Sequence, residues 1–305
     1  MDSKSYAKLG AGDSYMVYDL FDSEFSEVAF QKVKEEVEFD IMHHRGNQDH
    51  HHRLSSTHFD VAGGEVPRLV AVQGEVAEDL SFPVYRHPSD ESPPLRNFTP
   101  TVELIRKEVQ KIIRHPVNHA LIQYYRSGKD YISEHSDKTI DVVPGSSIVN
   151  VSLGAQRTIT LRTKKDQVRT DEGLDGKRFS QRIPLPHGSM FVMGLETNRR
   201  WLHAINHDNR PPKTKSPEEL QQNGERISLT FRHIGTFLDG PNERLIYGQG
   251  ATGKMREEAR PVVNGGGPEA EALLEAFGNE NKDSNFVWDE WYGNGSDVLH
   301  FTGDI

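Results

Sequence analysis

The strongest constraint on the fold is a series of short β-type segments that begins at Ala120. Residues 120–125, 147–153, 157–163, 189–193, 201–205 and 227–233 are rich in β-branched and aromatic side chains. Turn residues separate them: Ser127-Gly128, Pro144-Gly145, Gly154 and Pro186-His187-Gly188. Short strands at close spacing with turns between them build antiparallel sandwiches or barrels, whereas parallel sheets need a helix between strands. A further strand is predicted over 65–74. A helix is predicted over 100–114, where Val102, Ile105, Val109 and Ile112 recur at three-to-four spacing behind Pro100-Thr101. Another is predicted over 26–37, with Val28, Phe30, Val33 and Val37 on its apolar face. The expected fold class is mainly β with flanking helices.

The remaining segments are polar or irregular. Residues 85–100 carry four prolines and read as a surface loop. Residues 164–179 and 206–225 are polar insertions, and Lys164-Lys165 and Arg169 are expected in a solvated hairpin, with a nucleic-acid contact as the alternative. The His-rich stretch with His43, His44, His50, His51, His52 and His58 reads as a flexible insertion that binds ions adventitiously. Asn264 to Gly267 (NGGG) is expected to be a flexible loop outside any strand-to-helix setting. A short helix is expected around 269–277, and Trp288, Trp291 and Tyr292 are expected to dock the tail. His187 is expected to be a turn residue. The expected organisation is an N-terminal extension over 1–64, a core over 65–240 and a C-terminal extension over 241–305 packed on that core.

Composition narrows the chemistry. The 305-residue chain has no cysteine, so any metal must be held by His and carboxylate ligands. Its net charge of −10 weighs against a nucleic-acid binder, whose affinity rests largely on phosphate neutralisation. No apolar stretch approaches the ~20 residues of a membrane helix. The N-terminus has no basic region followed by an apolar one. A monomer in the cytoplasm or nucleus, neither secreted nor membrane-bound, is therefore expected.

His135-Ser136-Asp137 places an imidazole and a carboxylate two residues apart, where a strand points both to one side. His203 lies 66 residues beyond Asp137 in the apolar run WLHAI, where a lone His is unusual. Two His and one carboxylate on one face of an octahedral ion make the facial triad of non-haem iron(II) oxygenases. Three positions stay free for a 2-oxo acid and O2. Zinc is the alternative ion. With fifteen histidines in the chain, the His-x-Asp pair taken alone reads more simply as a surface loop pair than as a metal site.

The segment RISLTFR adds a second constellation. Arg226, Ser228, Thr230 and Arg232 alternate with Ile227, Leu229 and Phe231, so a strand there has one polar and one apolar face. A buried arginine needs a partner, and a dicarboxylate such as 2-oxoglutarate offers one with bidentate geometry. The alternative is an edge strand with a solvated polar face. Gln123 and Tyr125, two residues apart, can add hydrogen bonds to carboxylate oxygens.

The run NHALIQYYRSGKDYISEHSDKTIDVVPGSSIVNVSLGAQRTITLRTK, then IPLPHGSMFVMGLETNRRWLHAI and RISLTFRHIGTF, resembles the AlkB family of dioxygenases. It is most similar to the eukaryotic members that repair alkylated DNA. The stretches EVPRLVAVQG and PTVELIRKEVQKI also fit, and the resemblance covers roughly residues 65–237. It implies a double-stranded β-helix (jelly-roll) core and iron(II) ligands at His135, Asp137 and His203. It further implies that Arg226, supported by Tyr125, pairs with the distal carboxylate of 2-oxoglutarate, with Arg232 close to Asp137. Three positions depart from the family pattern. Gln123 stands where Asn is usual. Thr139 stands where repair homologues carry an acidic residue that reads the damaged base. His87, two after Tyr85, stands where an aromatic residue helps stack a flipped base.

The expected activity is that of an iron(II)- and 2-oxoglutarate-dependent dioxygenase that hydroxylates a C–H bond, with ascorbate as reductant in vitro. Two substrates compete. One is an N-alkylated nucleobase in DNA or RNA, with Tyr85, His87 and Thr139 near the base and Arg68, Arg210, Lys213 and Lys215 as candidate phosphate contacts. The other is a small metabolite, favoured by the acidic charge and by Thr139 and His87. A non-catalytic ligand-binding module on the same fold is the alternative of another class.

Overall fold

The computed structural model describes residues 8–43, 65–88, 93–167, 178–240 and 244–301. Each of the six β-type segments from Ala120 onward forms a strand: His119–Tyr125, Ser147–Gly154, Arg157–Thr163, Ser189–Gly194, Trp201–Ile205 and Arg226–Arg232. The major sheet has the order Tyr15–Val17, Ser189–Gly194, Ser147–Gly154, Arg226–Arg232, His119–Tyr125, Glu65–Gly74, Asp40–His43, and Leu95–Asn97 pairs with Glu65–Gly74. The minor sheet has the order Ser180–Leu185, Arg157–Thr163, Trp201–Ile205, Ile132–His135. All pairings in these sheets are antiparallel except that of Leu95–Asn97.

Period-two alternation gives the major sheet two different faces. Ile122, Val149, Val151, Leu153, Val192, Ile227, Leu229 and Phe231 form one buried cluster with the helices Ser23–Glu36 and Pro100–Ile113. On the other face Tyr125, Ile148, Phe191 and Met193 meet Ile159, Leu161, Leu185 and Ile205 of the minor sheet. The result is a jelly-roll core with helices on one side. Burying each Val, Leu, Ile or Phe contributes about 1.5–3 kcal/mol, so both apolar layers stabilise the packed sheets.

The helix over 23–36 starts earlier than its apolar periodicity suggests, because Asp22 caps it by accepting from Phe25 N at 2.8 Å. Its buried face is Ala29, Phe30 and Val33, continued by Val37, while Val28 points outward. The core also reaches further toward the N-terminus than residue 65. Tyr15–Val17 is an edge strand on Ser189–Gly194, and Phe30 packs in the main cluster.

Two strands of the minor sheet carried no usable signal. Ile132–His135 has a single apolar residue, and Ser180–Leu185 contains Pro184, which an edge strand tolerates. His187 is more than a turn residue: its Nδ1 accepts from Gly154 N and its Nε2 lies 2.8 Å from Ser26 O.

The C-terminal region packs through Ala270, Leu273, Ala276, Phe277, Phe286, Tyr292, Val298 and Phe301 against Ile140. Trp288 and Tyr292 serve this packing, and Trp291 stacks on Phe286 from the solvent side. The helix here runs Pro268–Lys282, longer than expected. Val263–Asn264 is a strand paired with Val298–His300, so the glycines do stand between a strand and a helix. Glu269 and Glu271 in that helix's first turn disfavour an anion there. Arg86 and Asp141 form a fully buried ion pair at 2.6 Å, and Arg86 also donates to the carbonyls of Gly250, Ser296 and Val298.

Lys164 overturns its expectation as a solvated residue. It is fully buried, with Nζ donating to Glu280 O and Asp283 O, because the C-terminal helix covers that turn. Residues His44, His50, His51, His52, His58 and Arg169 lie outside the described residues. Among the described residues no helix is long and apolar enough to cross a membrane.

Candidate metal and co-substrate site

The register of the minor sheet brings the triad together. His203 pairs directly with His135 across two antiparallel strands, and their ring centroids are 4.2 Å apart. Asp137 follows two residues after His135, and its Oδ1 lies 3.6 Å from His135 Nε2 and 3.7 Å from His203 Nε2. One ligand atom from each residue falls within 4.8 Å of the others, and among the described residues this is the one such group of His and carboxylates. His135 Nδ1 donates to Ser133 O at 2.8 Å, which leaves Nε2 with its lone pair toward Asp137 and His203.

The Asp137 main chain is fixed as well. Its N donates to Asn198 Oδ1 at 2.8 Å, and Asn198 Nδ2 donates back to Asp137 O at 2.9 Å. Asn198 sits in the short helix Leu195–Arg200, where nothing in the sequence marked it.

Electrostatics keep the triad in a ligating state. Burial works to raise the Asp137 carboxyl, but Arg232, His203 and His135 outweigh it and hold the group well below the usual carboxylate range. Burial pushes the His135 imidazole down to about 3, with His203 adding to the effect, and burial also lowers His203. The three residues therefore present two neutral imidazoles and one carboxylate, a donor set that fits iron(II).

The co-substrate side is built by Arg226–Arg232, whose polar residues line one cavity with the triad. The same cavity is lined by Gln123, Tyr125, Asn150, Ile148, Ile159 and Leu185. Arg226 is buried, donates to Ser152 Oγ and Asn150 Oδ1, and stacks over the Tyr125 ring at 5.1 Å. Burial lowers its guanidinium to about 10. Its Nη1 is buried without a hydrogen-bond partner, and so is Nη1 of Arg232. Two orphaned cationic donors on one cavity wall match an anionic ligand with two carboxylates. Asn150 Nδ2 donates to Ser228 Oγ at 2.6 Å and Thr230 Oγ1 at 3.1 Å, which orders those hydroxyls. Sequence reasoning missed Asn150, which lies between apolar neighbours in an otherwise ordinary strand.

Several expected substrate residues have protein partners. With its oxygen turned toward Arg68, the Gln123 amide accepts from Arg68 Nε at 2.8 Å and Nη2 at 3.2 Å. The other end of that amide lies 3.4 Å from Tyr125 Oη. Arg68 also donates to Tyr131 O at 2.9 Å. In this structure Gln123 and a carbonyl take its donors, and its expected role as a phosphate contact stays a proposal. Arg210 pairs with Asp208 and Glu219, and Lys215 pairs with Asp208, so both are locally neutralised.

Tyr85 lies beneath the Arg232 guanidinium, 4.0 Å from ring centroid to Cζ, and its Oη accepts from Lys138 N. The His87 ring is 6.0 Å from the Tyr85 ring, and the buried His119 ring is 5.8 Å from the Tyr85 ring. Thr139 donates from N and Oγ1 to Glu280 of the C-terminal helix. His119, Asn198 and Glu280 are thus site neighbours that the sequence did not reveal.

A jelly roll with a His-Asp-His triad and paired arginines in one cavity defines a metal-dependent oxygenase site. The chain belongs to the 2OG-Fe(II) oxygenase superfamily, whose family model matches residues 14–232. Within it the chain is AlkB-like. It is 31% identical over 174 residues to the human DNA oxidative demethylase ALKBH2, a match covering 55% of this chain and 57% of that protein. It is 34% identical over 145 residues to protein R406 of Acanthamoeba polyphaga mimivirus, covering 48% of this chain and 64% of that one. The mouse alpha-ketoglutarate-dependent dioxygenase alkB homolog 3 is 27% identical over 168 residues, covering 55% and 52%. The matched segment therefore spans little more than half the length of most of these relatives. The solved structure of OsALKBH1 aligns with 75% of this chain and all of that one at 16% identity and a TM-score of 0.45.

Proposed function

We propose that the protein is an iron(II)- and 2-oxoglutarate-dependent dioxygenase that oxidatively removes alkyl groups from nucleobase nitrogens in DNA or RNA. The observation that carries the oxygenase reading is the triad, which faces the same cavity as the orphaned Arg226 donor. When bound, iron(II) with 2-oxoglutarate and O2 supplies C–H hydroxylation coupled to the loss of succinate and CO2.

The chain's own residues do the rest. His135, Asp137 and His203 hold the metal through Nε2, a carboxylate oxygen and Nε2. Arg226 binds the distal carboxylate of the co-substrate, with Tyr125 beneath its guanidinium. Arg232 orients Asp137 and lines the cavity, with its Nη1 buried and unpartnered. Ser228 and Thr230 offer hydroxyls ordered by Asn150, and Gln123 holds Tyr125 and Arg68 in place. Ile148, Ile159 and Leu185 keep water from the reacting centre. Tyr85, His87 and Thr139 stand on the substrate side. The names of the relatives support a nucleobase substrate, and the nucleus or cytoplasm is the proposed compartment.

A second reading, hydroxylation or demethylation of a small metabolite, is favoured by the net charge of −10 and by the internal pairing of Arg68, Arg210 and Lys215. The deciding experiment incubates the protein with iron(II), ascorbate and 2-oxoglutarate, with and without a 1-methyladenine oligonucleotide. Formaldehyde that needs the oligonucleotide and disappears in His203→Ala supports nucleobase demethylation. Succinate formed at the same slow rate with and without it moves the substrate to a small molecule. No succinate at all sinks the oxygenase reading.

A further inference from the structure

The family match ends at residue 232, yet the chain beyond it grips the segment that carries Asp137. Ser136 donates from both N and Oγ to Asn281 Oδ1, each at 2.9 Å. Lys138 Nζ donates to the same Asn281 Oδ1 at 3.1 Å and to Phe277 O at 3.0 Å. Thr139 N donates to Glu280 Oε1 at 3.0 Å, joined there by Thr139 Oγ1. Tyr292 Oη donates to the other Glu280 oxygen at 2.7 Å, and Trp288 Nε1 donates to Thr139 O at 3.0 Å. Residues on both sides of Asp137 are therefore tied to the helix Pro268–Lys282 and to Trp288 of the short helix Trp288–Tyr292 that follows it.

These bonds are not needed to dock that helix. Ala270, Leu273, Ala276 and Phe277 already bury its apolar face. The polar contacts concentrate instead on three residues, Ser136, Lys138 and Thr139, that flank a single carboxylate. Ser136, Lys138 and Glu280 are buried, while Thr139 and Asn281 are half-buried, so one end of each of these side-chain bonds is held away from bulk water, where a misplaced partner is costly.

We propose that Glu280 and Asn281 are positioning residues: they fix residues 136–139 and thereby set the Asp137 carboxylate against His135 and His203 for metal binding. The inference rests on the reading of those three residues as metal ligands. Groups that orient ligands in this way typically account for about 10–100-fold in metal affinity.

The test uses the full chain, stripped of metal, and titrates manganese(II) by calorimetry, with thermal unfolding as the control for folding. Asn281→Ala should bind about tenfold more weakly while still unfolding well above the temperature of the titration. Asn281→Asp keeps an acceptor for Ser136 and Lys138 and should retain near-native affinity. Glu280→Ala should weaken binding, and Glu280→Gln, whose amide oxygen still accepts from Thr139, should restore it. Should Glu280→Ala not fold, the half-buried Asn281 pair carries the test. Native affinity in folded Asn281→Ala overturns the proposal, as does equal weakening in Asn281→Asp. Asp137→Ala separates the two levels: if it binds manganese(II) as tightly as the native chain, the ligand reading itself fails, and this inference with it.

Discussion

Arg232 donates from Nε and Nη2 to one oxygen of Asp137, at 3.0 and 2.7 Å, and leaves the other oxygen facing His135 and His203. The carboxylate is thus divided between an ion pair and a ligand position. Both partners are almost completely buried, so neither can turn to water if the other is lost.

Arg232→Met should therefore destabilise the metal-free protein by about 3–5 kcal/mol at neutral pH, the usual cost of leaving a buried charge unpaired. Urea unfolding measures it. An unchanged midpoint would show that the pair contributes nothing to the fold.

Arg226→Lys keeps the charge but loses the planar fork and its stacking on Tyr125. A charge-assisted bond of this kind contributes about 1.5–3 kcal/mol, so affinity for 2-oxoglutarate should fall by at least about tenfold. The KM for 2-oxoglutarate should rise while kcat at saturation changes much less. A proportional fall in kcat with unchanged KM would place Arg226 in another role.

His119 gives the pH prediction. Burial, with Arg232 and His87 adding to it, lowers its imidazole from 6.5 to about 3. As the pH falls below 6.5, the unfolded chain takes up a proton that the folded chain refuses until about 3, so stability drops across that window. His119→Phe removes this contribution. His135 and His203 act in the same direction and remain in both proteins. The metal-free variant should lose less stability than the native chain between neutral and mildly acidic pH. Equal losses in urea midpoints would rule out a neutral, buried His119.

Leu229 and Ser228 separate the two faces of one strand. Leu229 is fully buried in the cluster shared with the helices, and Leu229→Ala should cost about 2–5 kcal/mol. Binding of 2-oxoglutarate by the folded fraction should be unaffected. Ser228→Ala should cost about 1 kcal/mol of stability and weaken co-substrate binding instead. The reverse assignment of effects would mean that the strand presents its faces the other way.

Much of the fold was legible because the alternation of Ile227, Leu229 and Phe231 with Arg226, Ser228, Thr230 and Arg232 is a local property. The same holds for the helix Pro100–Ile113, whose buried Val102, Ile105 and Val109 follow helical spacing. Weak strands escaped. Ile132–His135 exists because Trp201–Ile205 pairs with it, and a single apolar residue cannot announce that.

By itself the sequence determined that Arg226 to Arg232 alternate between two strand faces, that any metal must sit on His and carboxylate, and that His135, Asp137, His203, Arg226 and Arg232 are the unusual groups; the strand bearing His135 ends there, before Asp137. Tertiary structure alone decided who stands beside whom. It set His203 against His135, paired Arg68 with Gln123, buried Lys164 under the C-terminal helix, and brought Glu280 and Asn281 to the segment around Asp137. The physical reason is that backbone periodicity fixes the direction of a side chain, whereas its partner depends on strand register and packing between residues far apart in the chain.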